Sequence, residues 1–144
     1  MDANGTIIAT SQIIAGNHND SYEIVERLKR LLSDLRACGL SVSGAYFNAD
    51  SSFDTKAVRK LLWNRGLLPN IPENKRNRKK PKRGRKRHFK PEIYKTRFVV
   101  ERTFAWIDKF RRLLIRFERK SVYFLGFHLI AYTLINLREL LAKV

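Results

Sequence analysis

Apolar residues at Ile24, Leu28, Leu31 and Leu35 recur every three or four positions, the period of one helix face. The spacing predicts a helix over 22–37, with Asn19-Asp20-Ser21 offering caps and Gly39 its stop. Residues 40–48 are short and partly apolar, the mark of a buried strand. After Ser52-Phe53-Asp54-Thr55 a second helix turns Ala57, Val58, Leu61 and Leu62 inward and stops at Gly66. Residues 67–71 read as a brief strand, which Pro69 confines to an edge. Upstream, Asn4-Gly5 precedes the partly apolar run 6–14, and Asn-Gly is a strong hairpin signal. Only three residues stand before that turn, so the sequence reads as if it opens inside a sheet. Strand, helix, strand, helix, strand predicts an α/β fold with parallel pairing.

The last third has a different pattern. Val99, Trp106, Phe110, Leu113 and Phe117, beside Val100, Phe104, Ile107 and Leu114, predict one long helix over 94–119. Phe127, Ile130, Leu134, Leu137 and Leu141 predict another over 122–143, with this arc as its core face. Its apolar stretch, 122–137, is interrupted by His128, Thr133 and Asn136 and is shorter than the ~20 residues of a spanning helix, which favours a buried helix. No internal repeat is visible.

Charge narrows the partner. Among 144 residues, 30 are Lys or Arg and 13 Asp or Glu, a net charge of +17. Such a surface repels itself unless a polyanion is near, and nucleic acid is the commonest. Eleven of the cations lie in 73–90, from Lys75 to Lys90, opposed there only by Glu73; without them the balance falls to +6. With 44% apolar residues the chain can still build a core. The lone Cys38 excludes an internal disulfide and fits a reducing compartment, and Met1 to Thr10 lack the pattern of a signal peptide.

Two places offer chemistry. Asp50 follows the strand over 40–48, where open α/β sheets collect functional residues, while Asp54 suits a helix N-cap better than a ligand role. Tyr94, Arg97, Glu101 and Asp108 are three, four and seven residues apart, which puts them on one side of a continuous helix. A strand-end Asp and a helical Glu can meet at a sheet edge and hold a divalent metal through hard oxygens. Taken singly, Asp50 reads first as a cap or turn residue, and the helical carboxylate near Arg97 as a surface ion pair. His18, His88 and His128 have no ligand spacing, and no glycine-rich phosphate loop is present.

These residues also carry a resemblance. Asn48-Ala49-Asp50-Ser51-Ser52-Phe53-Asp54 resembles the block around the second catalytic Asp of insertion-sequence DDE transposases, in the branch related to insertion sequence five. Tyr94-Lys95-Thr96-Arg97-Phe98-Val99-Val100-Glu101 is similar to their catalytic-Glu block, with its Tyr, two residues, Arg, three residues, Glu spacing. Gly16-Asn17-His18-Asn19-Asp20-Ser21, Phe110-Arg111-Arg112-Leu113 and Arg116-Phe117-Glu118-Arg119 extend the likeness over nearly the whole chain.

The resemblance implies an α/β, RNase H-like fold lacking its first strand, with two long C-terminal helices. Residues 1–144 would be a partial catalytic domain, with 73–93 a basic insertion loop and 94–143 the C-terminal helices. Asp50 and Glu101 would be the second and third acids of a triad, catalytic and ligands to Mg²⁺ or Mn²⁺. Tyr94 and Arg97 would position DNA or the metal-bound carboxylate, and the loop cations Lys79, Lys80, Lys82, Arg83 and Arg85 would bind DNA. The implied partners are transposon-end and target DNA, an upstream-frame transposase segment and, in the complete protein, further copies of itself; no membrane is implied, and the setting is the bacterial cytoplasm and nucleoid. Two departures stand out. Seven residues past Glu101 the family has Lys, and here stands Asp108, with Lys109 one residue, or ~100° of helix, further on. Asp2 adjoins the Asn4-Gly5 turn and is not assigned as the first acid. Without that acid the isolated chain is expected to be inactive, as a frameshift product or a decayed remnant would be. The competing readings are a non-catalytic nucleic-acid-binding protein and an RNase H-like nuclease.

Overall fold

The computed structural model describes residues 1–19, 21–75, 84 and 87–142. They form two units, Asn17–Arg97 and Met1–Gly16 with Phe98–Val144. The first is mixed α/β and the second is helical.

In the α/β unit, helix α1 (Ile24–Ala37) buries Leu28, Leu32 and Leu35, and α2 (Lys56–Asn64) buries Val58, Leu61 and Leu62. Strands β1 (Tyr46–Asn48) and β2 (Leu68–Asn70) pair in parallel, Tyr46 with Leu68, Phe47 with Pro69 and Asn48 with Asn70. Helix α2 packs on both α1 and β2. Val58 and Leu62 are fully covered, each stabilising the unit by about 1.5–3 kcal/mol. From α1 onward the predicted order of elements and the parallel pairing are present, with shorter strands, but the strand foreseen over 6–14 is not. The strand foreseen over 40–48 is extended only in its last three residues, because Gly44 turns the chain at φ +77° and donates its N–H to Gly66 O at 2.7 Å. Helix α1 starts two residues later than predicted, after Glu23 in a left-handed conformation with no side-chain cap; Asp20, one of the proposed caps, lies outside the described residues.

Two asparagines tie the strand ends to α3 (Pro91–Lys95). Asn70, with no exposed surface, donates to Asn48 Oδ1 (2.7 Å) and Lys90 O (3.1 Å) and accepts from Lys90 N–H (2.7 Å). Asn48 in turn donates to Ile93 O at 3.1 Å. A buried amide satisfied this fully is specific, since removing it strands every partner. Asn70→Leu, similar in size but unable to hydrogen-bond, is expected to lower unfolding free energy by about 3 kcal/mol in urea titrations. A loss below about 1 kcal/mol would show that Lys90 is held some other way.

The long helix foreseen over 94–119 is three: α3, α4 (Phe98–Ile107) and α5 (Arg111–Leu114). At the first break Thr96 and Arg97 bond to carbonyls three residues back, Ile93 and Tyr94, and Thr96 Oγ1 also donates to Ile93 O at 2.8 Å. At the second, Lys109 and Phe110 bond three back to Trp106 and Ile107, and Phe110 is extended. Neither break carries Gly or Pro, and apolar residues run across both. Asp108 and Lys109 therefore lie beyond the helix of Glu101, and the four polar residues 94, 97, 101 and 108 do not share one helix face.

Helix α6 (Ser121–Leu141) packs on α4 and α5 around Ile107, Leu113, Ala131 and Ile135, with Ile7, Trp106, Phe110, Phe124, Phe127 and Tyr132 at the margin. Apart from Phe127, which packs at the core margin, the predicted core arc is reversed: Ile130, Leu134, Leu137 and Leu141 are exposed, and Ala131 and Ile135 face inward. Apolar all round, α6 offered no single stripe to read. A 21-residue helix is about 31 Å long, more than a 10-residue and a 4-residue helix can cover, and it is long and apolar enough to cross a membrane by length and composition alone.

The Asn4-Gly5 turn forms without strands. Asp2 Oδ1 accepts from Asn4 N–H (2.9 Å) and Thr6 N–H (2.8 Å), and no strand occurs over 6–14. Gly5 sits at φ +100°, with Arg102 Nη2 only 2.7 Å from where a Cβ would be. The partner of the following backbone is a side chain: Asn136 accepts from Ile7 N–H at 2.9 Å and donates to Ile7 O at 3.0 Å, as a neighbouring strand would. The asparagine that interrupts the apolar run of α6 thus has a structural task.

Candidate active site

Asp50 follows β1 after one residue, Ala49, and caps a single 3₁₀ turn, Ser51–Phe53. Its Oδ1 accepts from Ser52 N–H at 3.0 Å and from the Ser51 hydroxyl at 3.2 Å. That fixes the carboxylate and leaves Oδ2 turned to Arg97, whose Nη2 is 3.9 Å away. The Ser52 N–H holds the acid below the usual carboxylate range; partial burial opposes this, and Ser51 and Arg97 reinforce it. Asp50 is thus an anion at neutral pH, with a side chain 49% exposed. Both the capping role and the outward-facing oxygen are present in one side chain.

Arg97 also donates to the Tyr94 hydroxyl at 3.4 Å, its guanidinium 5.9 Å from the Tyr94 ring centre. Tyr94 in turn meets Phe89 at 5.3 Å. Three residues singled out in the sequence, Asp50, Tyr94 and Arg97, therefore stand together. What brings them there is the asparagine network, which pins the start of α3 to the ends of β1 and β2, and the break at Thr96, which frees Arg97 from the helix. The pair itself is half exposed and adds little stability; its value is the fixed orientation of a charge.

Glu101 belongs to the helical unit, in the first turn of α4, where the helix dipole favours a carboxylate. Its side chain is exposed, and no hydrogen bond or ion pair holds it among the described residues. Lys79, Lys80, Lys82, Arg83 and Arg85 lie outside the described residues.

Asp54 is neither cap nor candidate ligand. Thr55 caps α2, accepting from Val58 N–H at 3.2 Å. Asp54, its side chain 2% exposed, pairs with Arg59 Nε at 2.7 Å and with Arg87 Nη1, and accepts from Asn74 N–H at 2.9 Å. Arg59 reaches past it to Ile71 O at 2.7 Å. One buried carboxylate thus holds Asn74 and Arg87, on either side of the most basic stretch of the chain. Sequence reasoning missed this clamp and the Asn48–Asn70 pair; the available signal was an Asp five residues before an Arg and two Asn ending successive strands.

The site is thus an ionised strand-end acid with an arginine turned to it, in a chain of net charge +17. Comparison with known proteins gives the class. The family model described as "Transposase DDE domain" matches residues 47–138. The chain is 34% identical over 123 residues to the "Putative transposase for insertion sequence element IS402" of Burkholderia cepacia, covering 83% of this chain and 52% of that relative. The chain belongs to the DDE transposases of insertion sequences. It spans about half the length of the relative it matches. No solved structure matches it.

Asp50 suits a divalent cation on its own chemistry: a hard, ionised oxygen donor with solvent access. The set is incomplete within its unit, since no three His, Cys, Asp or Glu gather into a metal-holding group among the described residues.

Proposed function

We propose that this chain supplies the second and third acids of an RNase H-like transposase domain, Asp50 and Glu101, which hold Mg²⁺ or Mn²⁺ for DNA cleavage and strand transfer. The observation that carries the reading is the Asp50–Arg97–Tyr94 cluster: residues more than forty positions apart, each marked by a family motif, stand at the end of one strand. Bound metal supplies activation of a water or 3′-hydroxyl and stabilises the leaving oxygen. Asp50 contributes an anion already stripped of its proton. Arg97 orients it, and the outer N–H groups of Arg97 and the hydroxyl of Tyr94 face incoming phosphate. On this reading the chain works on transposon-end and target DNA in the cytoplasm, as copies of itself, with the first acid supplied by sequence like the unmatched part of the relative.

The test is a fusion that restores that part, assayed for Mg²⁺-dependent nicking of end-repeat DNA. Nicking by the fusion and its loss in Asp50→Asn are expected; undiminished nicking by Asp50→Asn would remove Asp50 from the chemistry. A non-catalytic nucleic-acid-binding protein is the second reading, favoured by the net charge of +17. It predicts DNA binding by the fusion with no nicking.

A further inference from the structure

A second basic surface lies in the helical unit, outside the loop and the carboxylates. Between residues 109 and 120 stand Lys109, Arg111, Arg112, Arg116, Arg119 and Lys120, opposed only by Glu118. Three of these cations are placed over rings on the first two turns of α6. Arg112 lies 4.7 Å from the centre of Phe127, Arg116 4.9 Å from Phe124 and Lys120 5.7 Å from Tyr123. Glu118 steadies the array: its Oε1 is 3.2 Å from Arg112 Nη2, and its carbonyl accepts from Arg116 Nε at 3.1 Å. The charges remain in water, Arg112 with 64% of its side chain exposed.

Fold stability alone does not account for this arrangement. Lys120 is the N-cap residue of α6, it makes no side-chain cap, and no acid stands in the first turn. Cations beside the positive end of a 21-residue helix repel it, where an acid would stabilise it. Long aliphatic stems over rings do shield apolar surface, but uncharged stems would shield it without the repulsion. An arginine held over a ring has lost some of its rotamer freedom before any ligand arrives, and its outward N–H edge can grip a phosphate. Each of these rings carries a cation on one face, so what the corner presents there is a row of cationic N–H edges suited to the backbone of a nucleic acid.

We propose that the α5–α6 corner, with Arg112, Arg116 and Lys120 stacked on Phe127, Phe124 and Tyr123, binds the phosphodiester backbone of DNA irrespective of sequence. The choice of DNA rests on the transposase reading above; the surface itself does not depend on metal or on either carboxylate.

The experiment therefore uses the full 144-residue chain in EDTA, with labelled duplexes of unrelated sequence and fluorescence anisotropy over a range of KCl. Arg112→Gln/Arg116→Gln/Lys120→Gln should weaken binding to every duplex equally and reduce the salt slope by about three, roughly one per lost phosphate contact. Arg112→Lys/Arg116→Lys should keep the slope. The decrement should add to that of a loop variant, Lys79→Gln/Lys80→Gln/Lys82→Gln/Arg83→Gln. An unchanged slope in a folded triple variant overturns the proposal. Should that variant unfold, arginine modification of the wild-type chain by phenylglyoxal decides. Protection of Arg112 and Arg116 by DNA supports the surface, and equal labelling with and without DNA overturns it. Phosphatidylglycerol vesicles separate the other anionic partner: a triple variant that loses vesicles and keeps its DNA salt slope shows a lipid-binding corner instead. Cleavage is read on the fused protein with Mg²⁺ and binding on this chain in EDTA, so failed cleavage and failed binding are distinguishable.

Discussion

Asp54→Ala is expected to destabilise the α/β unit by about 3–5 kcal/mol, the cost of removing one partner from a buried ion pair and leaving the other uncompensated. The carboxylate is 2% exposed, and Arg59 and Arg87 are 12% and 22% exposed. Arg59 keeps its bond to Ile71 O, so the main loss falls on Arg87 and on the Asn74 N–H. In a unit of this size each kcal/mol shifts the melting midpoint by about 4–8 °C, so a drop of about 12 °C or more should appear in circular dichroism. A drop of a degree or two would mean that the clamp does not form. The same acid has a pH signature. Burial raises its proton affinity, but the Asn74 N–H, Arg59 and Arg87 outweigh this and hold it below the usual carboxylate range. In acid, protons therefore bind the unfolded chain before the folded one, and stability rises with pH across that interval. The contribution is complete above the unfolded-state value of about 3.9 and is lost as pH falls through the lower folded value. Asp54→Asn, which keeps the shape, should flatten this acid limb in melts taken at a series of pH values.

The second large effect is at Glu101. In the fused protein, Glu101→Gln should reduce end nicking by about 10³-fold or more, the scale on which single members of a catalytic unit act. The amide preserves size and removes the charge that a magnesium ligand must bring. Because the two acids would serve one metal centre, combining Glu101→Gln with Asp50→Asn should cost hardly more than either alone. Additive losses would mean that the two act in separate steps. Nicking retained by Glu101→Gln would leave the exposed acid in α4 a surface charge and nothing more. DNA affinity in EDTA should be unaltered in both variants.

The elements near the site were legible because their signals are local. Val58, Leu61 and Leu62 share one helical stripe, and a strand on either side of α2 demanded parallel pairing, which Asn48 and Asn70 then register. Asp50 was legible for the same reason: it closely follows a strand. Arg97 was placed on one helix side with Glu101 and Asp108, but the acid it meets is Asp50, because the backbone turns at Thr96 through bonds to carbonyls three residues back. Nothing in residues 94–119 announces that turn, since the apolar residues continue across it. The reversal of α6 has a related cause: with leucine and isoleucine on every side, burial was decided by what α4 and α5 could reach, a tertiary fact. Polar residues with tertiary tasks, Asn70, Asn136 and Asp54, were the least legible, since their partners are distant in sequence.

The clamp at Asp54 also bears on how this region can evolve. Since Asn74 and Arg87 are both fastened to one carboxylate, the two residues that bracket the basic stretch are held beside each other. A flexible insertion that doubled that stretch would add only about 0.6 kcal/mol of closure entropy. A change of length there would leave the strand ends and the acid beside them in place, because Asn74 and Arg87 stay fastened to Asp54.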